Sequence, residues 1–320
     1  MPNPTATLTD GDVRRHLVAL TVPMIWGLLA TMSFNAIDTY FVGRLGPQEL
    51  AAISFTFPIA MIVVSLAIGI GAGSSSVIAR ALGESDAARV RRLTTDSLVL
   101  TGLLVAALSL VGVATIDPLF RLLGAPDALL PFIGRYMRTW YAGMVFLIVP
   151  MVGFAAVRAT GDTRLPSLVL IGTAVVNVAL DPLLIFGGAG VPRLEIEGAA
   201  IAGLLARLGS FVAMVVLLRR HGMLSLRVRG WSELRASWRA ILHVGLPATG
   251  TNMVIPVSGA VVTAMIARFG APAVAGYGVA TRIESVALVF FFALSGIMNP
   301  FVGQNAGARR ADRVLEALAA

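Results

Sequence analysis

Asp38 and Asp181 of this 320-residue chain both stand well inside long apolar stretches. Asn35 precedes the first by three residues and Asn177 precedes the second by four, spacings that share a helix face. A carboxylate at bilayer depth costs at least about 2.5–3.5 kcal/mol, so it persists only when paired, hydrated or protonated. Two of them at close range cannot both ionise without a counterion; one holds a proton or the pair shares a cation. Asp38 lies six residues before Arg44, and Asp181 lies six residues before Gly187. Both stretches run in the same direction across the membrane, which puts both carboxylates at one depth, near the outer third. The four residues Asp38, Asp181, Asn35 and Asn177 therefore form a candidate proton or Na⁺ site. Simple interhelical adhesion by polar side chains is the alternative use for them.

The elements that position these residues are set by composition. The chain is 57% hydrophobic and 13% charged, where a soluble domain is about 45–50% apolar and about 25% charged. So little charge cannot cover a water-facing surface. A spanning helix needs about 20 apolar residues, and eight stretches qualify: 17–43, 50–79, 94–116, 132–157, 166–187, 198–218, 241–267 and 273–303. The expected fold is an all-α, polytopic membrane helical bundle. The first stretch far exceeds the roughly 7–15 apolar residues of a signal peptide.

The 25 basic residues are all arginine. Seventeen fall in alternate gaps on the side of the N-terminus and six in the opposite gaps. The positive-inside rule then puts the N-terminus and the 219–240 segment in the cytoplasm. Two arginines remain within spans, Arg207 and Arg282, the latter beside Glu284. Each needs a partner if fully embedded.

The chain repeats itself. At a constant offset of 224, Pro23 aligns with Pro247, Thr39 with Thr263, Arg44 with Arg268, Gly46 with Gly270, Gly83 with Gly307 and Arg89 with Arg313. Matches of proline, glycine and arginine at fixed loop positions are not a by-product of shared hydrophobicity. The second copy starts after an even number of spans, so the repeat is parallel, with its axis along the membrane normal. This divides the chain into a six-span N-lobe (1–218), a cytoplasmic inter-lobe loop (219–240) and a partial C-lobe of two spans (241–320). With only two spans, the C-lobe is expected to pack loosely.

Several function classes are excluded. There is no cysteine, hence no disulfide and no thiolate metal site, and no lysine for a Schiff base. His16, His221 and His243 lie at span ends, and no hydrolase, metalloprotease or phosphate-loop motif is present. The expectation is a non-enzyme without cofactor or firm metal site. The dispersed arginines argue for a membrane explanation of the charge and against nucleic acid. The run Gly69-Ile70-Gly71-Ala72-Gly73 reads as close helix packing.

The order of motifs resembles the multidrug and toxic compound extrusion (MATE) transporters. The first span, with Pro23, Asn35, Asp38, Gly43, Arg44 and Gly46, looks like their opening helix, which bends at the proline. Asn177, Asp181 and Pro182 resemble their fifth helix, and Gly198 opens the sixth as in the family. Gly276 to Glu284 and Gly303-Gln304-Asn305-Ala306-Gly307 resemble the eighth. The resemblance covers essentially the whole chain and is nearest to the DNA-damage-inducible-F-like branch. Against the family's twelve helices, the chain reads as truncated after the eighth. The resemblance implies a monomeric, inner-membrane antiporter that exports amphipathic, often cationic, compounds. The coupling ion is expected to be H⁺ rather than Na⁺, because the family's sixth-helix threonine is replaced here by Gly203. Pro23, Gly203, Arg282 and Glu284 are the further cavity or structural candidates. Alternatives are a lipid-linked oligosaccharide flippase of the same superfamily and a non-transporting remnant.

Overall fold

The computed structural model describes residues 4–188, 190–225, 230–269 and 271–319. These are helical apart from short connections and one isolated bridge between Gly188 and Val191. Eleven α-helices run in order: α1 (Val13–Gly43), α2 (Pro47–Gly83), α3 (Ala87–Ala114), α4 (Ile116–Leu122), α5 (Leu130–Ala159), α6 (Arg164–Phe186), α7 (Glu195–Arg220), α8 (Trp231–Ile266), α9 (Ala271–Ala287), α10 (Val289–Gly307) and α11 (Ala311–Ala319). Seven are long and apolar enough to span a membrane, and α9 with α10 makes an eighth, bent by 47°. The stretch 273–303, read from hydropathy as one straight span, is therefore broken at Leu288. Its apolar character continues through the bend, so hydropathy is blind to it. Likewise the 219–240 connection is shorter than its polarity suggests. α7 runs on to Arg220 and α8 starts at Trp231, where Trp238 donates its indole N–H to the Asp96 carbonyl at 3.0 Å.

Helix ends follow local chemistry. Asp12 and Asp86 cap α1 and α3 by accepting the N–H of Arg15 (2.7 Å) and Arg89 (2.9 Å), which satisfies one orphan donor at each N-terminus. Pro47 sits in the first turn of α2, where no hydrogen bond is lost. Pro23 lies within α1 and the helix runs on past it to Gly43.

The side of the bundle that carries the N-terminus (the near side) is tightly closed. The Cβ that a side chain would add at Gly69 or Gly73 of α2 runs into the α8 backbone around Gly245. A Cβ at Gly83 meets the Gln304 carbonyl, and one at Gly307 meets the Arg80 carbonyl. These last two contacts are related by the sequence offset of 224. The repeat is thus a spatial pseudo-twofold, and α2 and α10 cross at its axis through small residues. Gly270 lies outside the described residues. A Cβ at Gly71 would lie 3.4 Å from the Ala155 side chain of α5, so the glycine-rich run is a packing surface, as its composition suggests.

A second set of contacts fastens this side. Gln304 of α10, fully buried, accepts the N–H groups of Thr7 and Leu8 (both 3.0 Å) and donates to the Ala159 carbonyl at 2.6 Å. Asn305 donates to the Leu8 carbonyl at 3.1 Å. Arg313 of α11 donates to Asn305 Oδ1 (3.1 Å) and to the Gly11 carbonyl (2.7 Å). The N-terminal strap, residues 7–11, is thereby sewn between the end of α5 and the start of α11. The expected looseness of the last two spans does not extend to this side. Away from it, apolar side chains are exposed on the far half of α8 (Val254, Ile255, Val257 and Met265) and across the α9–α10 break (Ile283, Val286, Phe290 and Phe291).

Candidate functional site

α1 and α6 lie side by side along their length. Gly27 abuts Ser167 toward the near side, where a Cβ would come within 3.2 Å. At the far end the rings of Phe41 and Phe186 meet edge to face at 6.2 Å, beside a small core of Val42, Ile185 and Ala199. Asp38 and Asp181 each lie five residues from the far ends of these helices, at Gly43 and Phe186. They face each other closely enough to interact electrostatically.

Asp181 is completely buried. The Asn177 amide, one turn earlier on α6, donates its N–H to Asp181 Oδ2 at 2.9 Å, and its carbonyl accepts the backbone N–H of Gly203 in α7 at 3.0 Å. Asn177 therefore clamps Asp181 to the α7 backbone. The other carboxylate oxygen, Oδ1, has no hydrogen-bond partner. A buried carboxylate with one oxygen left unmatched is an expensive arrangement, and a proton or cation delivered to Oδ1 would relieve it. Asp38 is half-buried across from it.

Two further groups enter from other helices. Tyr136 of α5 and Arg207 of α7 both lie within electrostatic reach of Asp38 and Asp181. Tyr136 is not among the sequence candidates. It sits six residues into α5, which starts on the far side at Leu130, so the depth reasoning that selects Asp38 and Asp181 selects Tyr136 as well. Arg207 starts about 18 Å into α7, twelve residues from Glu195 at 1.5 Å each. Helical side chains lean toward the N-terminus, and α7 begins on the far side, so its guanidinium reaches outward toward Gly203. Nη1 stands 3.6 Å from where a Gly203 side chain would begin.

Not every candidate joins this cluster. Asn35 is exposed on α1 and its backbone carbonyl accepts from Thr39; it is not brought against the carboxylates. Pro23 lies fifteen residues from Asp38, toward the near side, next to Met24, which packs on Gly296 of α10. Glu284 is exposed on α9, and the Arg282 side chain lies outside the described ones. Among the described residues no group of three or more His, Asp or Glu gathers as a metal site.

Comparison with known proteins agrees with this architecture. A family model described as MatE matches residues 23–183 and 247–320. The chain belongs to the MatE family. Its fold is therefore that of a multi-pass membrane transporter, and it is not an enzyme. A protein of Shewanella oneidensis named FAD transporter is 41% identical over 312 residues, covering 97% of this chain and 69% of that protein. The probable multidrug resistance protein YoeA of Bacillus subtilis is 28% identical, covering 99% of this chain and 70% of its own length. Among solved structures, the Vibrio cholerae MATE transporter VcmN in its bent form matches with a TM-score of 0.88 at 31% identity, over 96% of this chain and 69% of that one. An outward-facing conformation of a multidrug resistance MATE family transporter matches with a TM-score of 0.86 at 26% identity, over 98% of this chain and 71% of that one.

Proposed function

We propose that this MatE chain is an ion-coupled exporter in which the Asp38–Asp181 pair takes up the coupling ion. The observation that carries the reading is Asp181 itself: fully buried, clamped through Oδ2 and bare at Oδ1. The coupling ion is the proton. The site lacks a hydroxyl at Gly203, and a proton needs only one carboxylate where Na⁺ needs several oxygens. In alternating access the near side, closed here by glycine contacts and by the strap, separates while the far side closes. The arginine distribution supports a cytoplasmic near side, in the inner membrane. Protons then enter from outside and drive the rocking, each unit charge moved across 100 mV releasing about 2.3 kcal/mol.

The cargo is an amphipathic small molecule, and cationic drugs suit an anionic pair. A flavin dinucleotide is a second reading, favoured by the name of the 41% identical relative. Inside-out vesicles carrying the protein, energised by an imposed pH gradient with and without sodium, test both. Transport of a fluorescent cation or of FAD that follows the pH gradient, ignores sodium and is lost in Asp181→Asn is the expected result. Strict sodium dependence overturns the proton assignment, and full activity in Asp181→Asn overturns the site.

A further inference from the structure

The far-side site holds three charges, and the third is a cation. Arg207 is half-buried in the apolar middle of α7. Among the described residues it makes no hydrogen bond and no ion pair, yet it stands beside Gly203 within electrostatic reach of Asp38, Asp181 and Tyr136. An intramembrane arginine without a direct partner is costly unless its charge is answered nearby. Its Nη1 stands at 3.6 Å, and the Asn177 amide at 3.8 Å, from the point where a side chain at 203 would begin. Glycine at 203 thus leaves a space that the guanidinium borders on one side and Asn177 on the other.

We propose that Arg207 is a tethered cation that sets the ion specificity of the carboxylate pair, admitting one proton and excluding sodium. The inference rests on the reading that Asp38 and Asp181 take up the coupling ion, and it adds which ion and how many. Two carboxylates and one guanidinium leave a single negative charge. One proton on Oδ1 of Asp181 closes that balance and needs no further ligand. Sodium meets three obstacles at the same place. Asn177 presents its N–H to Asp181 and keeps its carbonyl for the Gly203 N–H, so it offers a donor where sodium needs an acceptor. Gly203 supplies no hydroxyl. The guanidinium repels any second cation placed between the carboxylates. As a general order of magnitude, a unit charge about 6 Å from a second cation, at an effective dielectric constant of about 20, weakens its binding about a hundredfold. The charged and titratable groups that face Arg207 are thus Asp38 of α1, Tyr136 of α5 and Asp181 of α6, and its own helix contributes no other at this depth.

The test measures binding on the purified protein in liposomes, with radioactive sodium and with a pH-indicating dye, so that it is independent of any cargo. The wild type is expected to show no saturable sodium binding and to take up about one proton per chain in a step that Asp181→Asn removes. Arg207→Gln should bind sodium saturably, on the order of a hundredfold tighter than the wild type. Arg207→Lys, which keeps the charge, should still exclude it. Saturable sodium binding by the wild type that Asp181→Asn abolishes overturns the proposal without any Arg207 variant. So does a folded Arg207→Gln protein that remains blind to sodium. Absence of any Asp181-dependent proton or sodium uptake in the wild type instead overturns the coupling-site reading, and the inference falls with it.

Discussion

Two buried polar clusters of this molecule, the strap network around Gln304 and the Asp181 site, finish their hydrogen bonds differently. At the near side, Gln304, Asn305 and Arg313 have their donors and acceptors met by the strap, by Ala159 and by one another. At the far side, Asp181 keeps one oxygen bare and Arg207 makes no hydrogen bond or ion pair among the described residues. Satisfied buried networks rigidify, and unsatisfied ones store cost that a bound species can relieve. The contrast separates a fastening from a site within one bilayer-sized bundle. It also implies opposite responses to substitution: removing polar atoms from the near side should destabilise, and neutralising charge at the far side should not.

The largest effect on stability is expected at the pseudo-twofold crossing. Gly83→Leu would drive a side chain into the Gln304 backbone, and backbone cannot step aside as a side chain can. A loss beyond about 3 kcal/mol, above the usual overpacking cost, should appear as a collapse of the detergent-solubilised melting temperature. An unchanged melt would mean the helices do not cross there. Next comes Gln304→Ala, which orphans two N–H groups and one carbonyl. Counting the two fully buried groups, the Leu8 N–H and the Ala159 carbonyl, at about 1–3 kcal/mol each, a loss of about 2–6 kcal/mol is expected. A cysteine at Leu8, now buried in a chain with no other cysteine, should then react with a water-soluble thiol reagent. Continued protection would show that the strap is held by something else.

Asp181→Asn tests the other half of the contrast. It should leave the melting temperature unchanged or raised, because an amide carries no charge to bury, while ion-driven transport is lost. Asp38→Asn should match it, and the double variant should be little worse, since residues acting as one unit are not additive. A destabilised Asp181→Asn protein with intact transport would reverse the assignment.

The smallest effect is expected at the near-side rim. His221 Nε2 lies 3.4 Å from Asp162 Oδ2. The hydrogen bond that His221 donates to Asp162 raises the His221 pKa above its ordinary 6.5. Burial alone would push Asp162 up, but the His221 bond and the Leu165 N–H outweigh it and hold Asp162 below its ordinary 3.8. The histidine contribution is fully present below pH 6.5 and fades as pH rises through its raised folded value. The aspartate contribution is fully present above 3.8 and fades as pH falls through its lowered value. Asp162→Asn should therefore cost a few tenths of a kcal/mol at about pH 5.5, as for partly exposed pairs, and less at pH 9, where the histidine is neutral and only the Leu165 and Arg164 N–H groups still favour the carboxylate. Melts at the two pH values check the difference.

Much of this was legible before any coordinates. Span number follows from apolar length, and the shared depth of Asp38 and Asp181 follows from counting residues to helix ends. The repeat offset of 224 even pairs Gly83 with Gly307, which prove to be neighbours at the axis. The break at Leu288 was not legible, since no proline or glycine stands at 287–289 to announce it. Nor was the exposure of Asn35: sharing a face with Asp38 does not say how far that face extends into the lobe. Arg207 was visible as an oddity, but its direction depends on which way α7 runs and on the empty place at Gly203. The strap was hidden because its partners lie up to 305 residues away in the chain and no local pattern connects them.

The strap also bears on how the protein is made. Thr7 leaves the ribosome long before Gln304, 297 residues later. At about 5–20 residues per second the wait is roughly 15–60 s, during which the first six helices enter the membrane. The strap is thus synthesised well before it can be seated, and it closes over spans already in the membrane. A bulky fusion ahead of the strap would be held at that door.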